Sequence, residues 1–112
     1  MKSIRLLIAT ALALTTAQGL HAQSAWPNRP VRIIVPLPPG GPSDIVLRAA
    51  IEKMQPVLKQ PVLIDNKPGA AGNVGAAEAA RAVPDGQTWL WTTDTLLTVN
   101  PHVYPKLGFK PD

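Results

Sequence analysis

Two stretches decide how this chain folds: Pro36-Leu37-Pro38-Pro39-Gly40-Gly41-Pro42-Ser43-Asp44 and Asn66-Lys67-Pro68-Gly69-Ala70-Ala71-Gly72-Asn73-Val74-Gly75. Each follows a short run rich in Val and Ile and precedes an Ala-rich stretch of helical character. Proline stops an extended segment and glycine allows a sharp reversal, so each stretch is a strand-to-helix turn. The first N–H groups of a helix have no partner inside it. Two such turns side by side make an anion trap out of peptide rather than charged side chains.

Outward from the first turn, Val31-Arg32-Ile33-Ile34-Val35 is β-branched and nearly all apolar, as a strand buried on both faces should be. Trp26-Pro27-Asn28-Arg29-Pro30 is a stiff lead-in that cannot be helix. After the turn, Ser43 or Asp44 suits the N-cap of a helix from Ile45 to Leu58. Leu47, Ile51, Met54 and Leu58 form its apolar stripe, and Pro56 predicts a bend or stop near Gln55. Pro61 to Asn66 is the second strand. Gly72 or Asn73 then caps a helix from Val74 to about Val83, whose alanines let it pack close to a sheet.

Pro84-Asp85-Gly86 is a turn, and Thr88 to Thr93 the third strand. Alternation puts Trp89 and Trp91 on one face of it and Leu90 on the other, and Trp26 is placed to cover a sheet edge. Asp94 and Thr95 cap one more helical turn through Val99, Asn100-Pro101 ends it, and the remainder to Asp112 is irregular. Strand and helix alternating at this spacing predict an α/β fold, a parallel-sheet βαβαβ lobe with right-handed crossovers. Ligands of such sheets bind beyond the carboxyl ends of the strands, where both glycine turns sit.

The chain has 112 residues, enough for one small domain. Its beginning has the layout of a secretory signal peptide: Lys2 and Arg5, an apolar run from Leu6 to Thr16, and Leu20-His21-Ala22 as a cut site before Gln23. A buried N-terminal helix is the plainer alternative, and Ala25 is a second possible cut. The apolar run is too short to span a membrane. Cleavage after Ala22 leaves 90 residues and lowers the net charge from +4 to +2. No Lys/Arg run remains and aromatics are few, so nucleic acid is poorly supported as a partner. With no cysteine, an exported domain must hold together by burying apolar surface. Ninety residues make that marginal, which suggests a fragment.

Neither turn is a nucleotide motif: there is no Gly-Lys-Ser/Thr, and Gly69, Gly72 and Gly75 are spaced three apart rather than as G-x-G-x-x-G. A nucleophilic enzyme lacks its parts, since there is no Cys and no G-x-S-x-G. Beyond the leader the sole histidine is His102, which suits a surface loop. Asp44, Asp65, Asp85 and Asp94 have no histidine cluster that would hold a metal. No cofactor is implied. Taken singly, each turn has a structural explanation, and Asp44 and Asn73 can be plain caps. Two turns on successive strands, with Thr92, Thr93 and Asp94 at the matching place on the third, favour a binding edge. Hydroxyls and N–H groups without nearby Lys or Arg suit a small carboxylate better than a phosphate.

These residues resemble the tripartite tricarboxylate transporter receptors, the Bug-type periplasmic solute-binding proteins. The resemblance lies in a leader, Trp26 to Val31, Val35 to Asp44, Gln60-Pro61-Val62, Asp65 to Gly75, Pro84-Asp85-Gly86 and Asn100-Pro101-His102-Val103-Tyr104. It covers essentially all of residues 26–112. It implies a two-lobed, Venus-flytrap receptor that is not an enzyme and that captures a small organic carboxylate in the periplasm for the membrane subunits of a transporter. In that family the first two strand-to-helix loops grip the carboxylate through backbone amides. Carried over by position, the pincer is Gly40, Gly41, Ser43 and Asp44 with Ala70, Ala71, Gly72, Asn73 and Gly75. Thr92, Thr93 and Asp94 complete this side.

Leu37 departs from an aromatic common in the family, and Pro56 and Lys59 replace more helix-compatible and glycine residues at the first helix end. Members of the family run to roughly 300 residues, about two domains' worth, so residues 23–112 are expected to be an incomplete N-terminal lobe. Two other readings remain: an exported small hydrolase-like enzyme, and a structural remnant that binds nothing.

Overall fold

Val31–Val35 forms β1, the central strand of a three-stranded parallel sheet in the computed structural model, which describes residues 26–111. The expected leader and its cut after Ala22 lie outside the described residues. β1 runs between β2 (Val62–Asn66) and β3 (Thr88–Leu90), in the order β2-β1-β3. Val31 pairs with Val62 and Ile33 with both Ile64 and Trp89, so the strands end nearly level.

One face of the sheet carries Val31, Ile33, Val35 and Val62, packed by Leu47 and Ile51 of helix α1 (Pro42–Leu58). Trp89 and Trp91 lean against the same cluster, as their alternation predicts. On the other face the fully buried Ile34 lies towards helix α2 (Asn73–Ala80), whose Ala76 and Ala77 are buried. Arg32, half-buried, is the exception in a strand otherwise buried on both faces. Its guanidinium donates to Asp65 of β2 and Glu78 of α2, with Lys67 beside both carboxylates at 3.8 and 3.6 Å. All four side chains are a third exposed or close to it, at 33–38%, so each pair contributes no more than about 1 kcal/mol.

Several boundaries differ from the sequence reading, each for a physical reason. The N-cap of α1 is Gly41, and Ser43 and Asp44 lie inside the first turn. Pro42 takes the first helical position, where its missing N–H costs nothing and its fixed φ helps. Pro56 does not stop the helix. It lies in the last turn, and left-handed Lys59 (φ 53°) closes the end by donating its N–H to Gln55 O at 2.9 Å. Helix α2 ends at Ala80 rather than Val83. Arg81 and Ala82 bond to the carbonyls of Glu78 and Ala79, a tighter turn, just before Pro84 forbids further helix.

β3 is shorter than expected because β1 leaves the sheet at Pro36; Trp91 N–H still bonds Ile34 O at 2.9 Å. Helix α3 (Thr95–Thr98) begins after Asp94 as expected. Asn100-Pro101 does not end the helical stretch but opens a second short turn, α4 (Asn100–Val103), since proline is tolerated in a first turn. Trp26 stacks on Trp89 of the edge strand β3, centroids 6.1 Å apart and planes 18° apart.

Candidate functional site

The level ends of β2, β1 and β3 set three strand-to-helix loops side by side. The first, Pro36 to Gly41, is stiffened by Pro36, Pro38 and Pro39 and turns at Gly40 (φ 83°). Asp44, 2% exposed, reaches back from the first turn of α1 and accepts the Gly40 N–H at 3.0 Å. Arg48, one turn on, donates to the same carboxylate at 2.8 and 3.3 Å. These two partners, Arg48 above all, hold the Asp44 carboxyl below the usual carboxylate range. Its oxygens brace the loop from within.

The first bond inside α1 runs from Ile45 N–H to Gly41 O at 3.1 Å. The N–H groups of Ser43 and Asp44 precede it and have no acceptor in the helix. The half-buried Ser43 hydroxyl accepts the Trp91 indole N–H at 2.9 Å. Residues Leu37 to Asp44 line an open hollow of about 440 Å³ with no lysine or arginine among them.

The second loop is built differently. Gly69, Ala70, Ala71 and Gly72 all have positive φ, at 138°, 47°, 53° and 91°. Left-handed backbone costs an alanine about 1–2 kcal/mol, so two such residues must be held in place. Gly72 N–H bonds Gly69 O at 2.9 Å, and Asn100 of α4 donates to Ala71 O at 3.0 Å and Asn73 Oδ1 at 2.7 Å. The Asn73 Nδ2 is buried and has no partner among the described residues. Gly72 and Gly75 serve close approach. A Cβ on Gly72 would stand 2.7 Å from Leu96 Cδ1, and one on Gly75 would stand 2.9 Å from both Lys67 O and Pro36 Cβ. Asn66 ties the two loops by donating to Leu37 O at 3.1 Å.

In the third loop Thr93 and Thr95 share a hydroxyl hydrogen bond at 2.7 Å. Asp94 exposes its carboxylate, while its carbonyl accepts the N–H groups of Leu97 and Thr98, both at 2.9 Å. Thr92 is half-buried two residues past the end of β3.

The structure therefore brings the three loops together where Pro36, Gly72 and Leu96 meet. It does not place all the sequence-derived residues in one hollow. Gly40, Gly41, Ser43 and Asp44 share the first, whereas Ala70 and Asn73 line a separate one of about 390 Å³ with Arg81 and Tyr104. The amides of Gly40 and Gly72 are already bonded within their own loops. Sequence reasoning missed Arg48, Asn66, Trp91 and Asn100. Arg48 was visible as the basic residue four positions after Asp44 on a helix. The other three act across long separations and leave no local signal.

The sequence profile described as the tripartite tricarboxylate transporter family receptor matches residues 46–112. A UPF0065 protein of Bordetella pertussis is 45% identical over 114 aligned positions, covering all of this chain and 35% of the relative. The solved periplasmic binding protein BugD is 38% identical with a TM-score of 0.69, over 77% of this chain and 28% of its own. A protein of R. palustris solved with adipate is 32% identical with a TM-score of 0.72, over 77% of this chain and 29% of its own. The chain thus spans about a third of the relatives' length. The chain belongs to the tripartite tricarboxylate transporter receptor family.

Proposed function

We propose that this chain supplies the first lobe of an exported receptor that captures a small organic carboxylate for a tripartite transporter. The observation that carries the reading is the hollow at Leu37 to Asp44. The amides at the start of α1, which have no acceptor among the described residues, and the Ser43 hydroxyl offer donors there, and no lysine or arginine of those residues lines it. Donors of that kind match an acceptor-only carboxylate, while a phosphate would call for fuller charge compensation. The R. palustris neighbour was solved with adipate, a dicarboxylate, which supports the same class of ligand. The pincer is Gly41, Ser43 and Asp44 on one side and Ala71, Asn73 and Gly75 on the other, with Thr92, Thr93 and Asp94 beside them.

The leader ending at Ala22 would send the chain to the periplasm, where it would meet the transporter's membrane subunits. Closure over a ligand takes two lobes. The described residues supply one of them, around a single three-stranded sheet, and the chain matches 35% of the Bordetella relative's length. The hydrolase-like alternative loses ground at Ser43. Its hydrogen-bonded neighbour is an indole N–H, which donates and cannot accept a proton, so it is no general base.

Thermal melts with adipate and a panel of mono-, di- and tricarboxylates test the reading. Ligand at a hundred times its Kd stabilises by about 2.7 kcal/mol, which for a domain of this size raises Tm by roughly 10 °C or more. A cooperative melt that no acid moves would sink the receptor reading and favour a remnant that binds nothing.

A further inference from the structure

The alternation that sets Trp91 beside Trp89 on one sheet face accounts for its ring alone. Its ring does lean on the core and borders a small apolar cavity of about 110 Å³ with Ile33, Leu47, Ala50 and Met54. Its backbone is pinned by the bond from Trp91 N–H to Ile34 O. The indole is thus a rigid arm from the end of β3 to the first turn of α1, and its tip meets Ser43 Oγ at 2.9 Å.

That contact has a definite polarity. An indole N–H only donates, while a serine hydroxyl has one proton and two lone pairs. With one lone pair taken by Trp91, the hydroxyl proton is free to turn towards the hollow. Ser43 then offers two donors at once, its O–H and the unbonded N–H of the first helical turn. An ionised carboxylate can accept both. A neutral amide keeps one accepting oxygen, turns N–H groups rather than a second acceptor towards a donor on its other edge, and carries no charge to strengthen either bond. Without the indole, a serine so near a helix start can turn its proton to nearby backbone instead.

We infer that Trp91 is a positioning residue that fixes Ser43 as a donor and so selects an ionised carboxylate over its neutral isostere. The inference rests on the receptor reading and adds to it the residue that sets ligand charge state.

The test uses ¹⁵N-labelled protein, whose three tryptophans, Trp26, Trp89 and Trp91, give three indole N–H resonances. Ser43→Ala, without ligand, should move the Trp91 resonance and leave the other two in place. In the wild type adipate should move the Trp91 resonance, whereas its neutral diamide should not. Trp91→Phe keeps the ring and removes the N–H, and should weaken adipate about three- to ten-fold, the worth of one hydrogen bond. Trp89→Phe removes a comparable indole bond, to Gly86 O at 2.7 Å, and should leave affinity unchanged. The double variant Ser43→Ala/Trp91→Phe should bind no worse than Ser43→Ala alone, because both act through one hydroxyl.

Should Trp91→Phe fold poorly, Ser43→Ala, at a half-buried polar position, still reads the contact through the Trp91 resonance. Loop amides that shift with adipate while the Trp91 indole stays silent would overturn the inference and leave the receptor reading intact. Binding the diamide as tightly as adipate would overturn it too. No resonance moving with any acid would overturn the receptor reading, and the inference with it.

Discussion

The loops after β1 and β2 occupy equivalent places and solve the same problem by opposite means. The first draws its shape from proline and from Asp44, which reaches back to Gly40 and is itself held by Arg48. Its one left-handed residue is a glycine with open space around it. The second strings four left-handed residues together, two of them alanines, and depends on neighbours to keep them so: Asn100 from α4, Leu96 from α3, Pro36 from the first loop. One loop is set by its own covalent stiffness and a local clamp, the other by tertiary packing. The first should keep its shape when its surroundings loosen, and the second should not.

The largest effect expected from this contrast is at the paired glycines. Gly72→Ala adds a left-handed side chain and puts a Cβ 2.7 Å from Leu96, so the fold should lose roughly 2–4 kcal/mol. Gly40→Ala meets nothing within 4 Å and should lose only the left-handed cost, about 1 kcal/mol. Denaturant melts of the two variants decide the matter. Equal losses would mean that packing does not distinguish the loops.

The Asp44 clamp gives the next effect, and its sign can be worked out. Arg48 and the Gly40 N–H lower the Asp44 pKa in the fold, so the stabilisation is present above the unfolded value, near pH 4, and fades as pH falls through the folded one. Asp44→Asn should therefore melt below the wild type at neutral pH, with the gap closing below about pH 4. Glu78 and Asp85 are lowered too, so the wild-type acid curve alone does not isolate the clamp; the difference between the two proteins does. A gap constant from pH 7 to pH 3 would remove the carboxylate from the account.

The same contrast explains what the sequence disclosed. β1 was legible to the residue because a β-branched run between prolines has few other fates. The parallel sheet followed from the alternation of elements, and the tripartite receptor family from motifs in the right order. The first loop was half legible: its turn was plain, but the choice of Gly41 over Ser43 or Asp44 as cap depended on Pro42, whose preference for the first helical position was the available clue. The second loop was least legible. Left-handed Ala70 and Ala71 contradict local preference, and the groups that impose it, Asn100 and Leu96, lie far along the chain. Trp91 escaped for a related reason, since its period-two position told of its ring and nothing of its N–H.

The smallest effect is also the one that asks what the strain is for. Ala71 (φ 53°) and Lys59 (φ 53°) are both left-handed without being glycine, one in the second loop and one at the far end of α1. Glycine at either site relieves the Cβ clash and gives back part of the gain in chain entropy, so each variant should gain up to about 1 kcal/mol, a Tm rise of roughly 4–8 °C. Stability alone would not separate them. Adipate binding should: Lys59→Gly leaves the three loops untouched, whereas Ala71→Gly frees a turn whose neighbouring amides the proposed pincer needs in one orientation. Strain of this kind persists where the surroundings over-determine it, and often where a ligand benefits. Ala71→Gly should therefore raise the melt while weakening adipate, and Lys59→Gly should raise the melt alone. If both gain stability at no cost in affinity, the second loop's left-handed run serves packing, and the first loop alone holds the carboxylate.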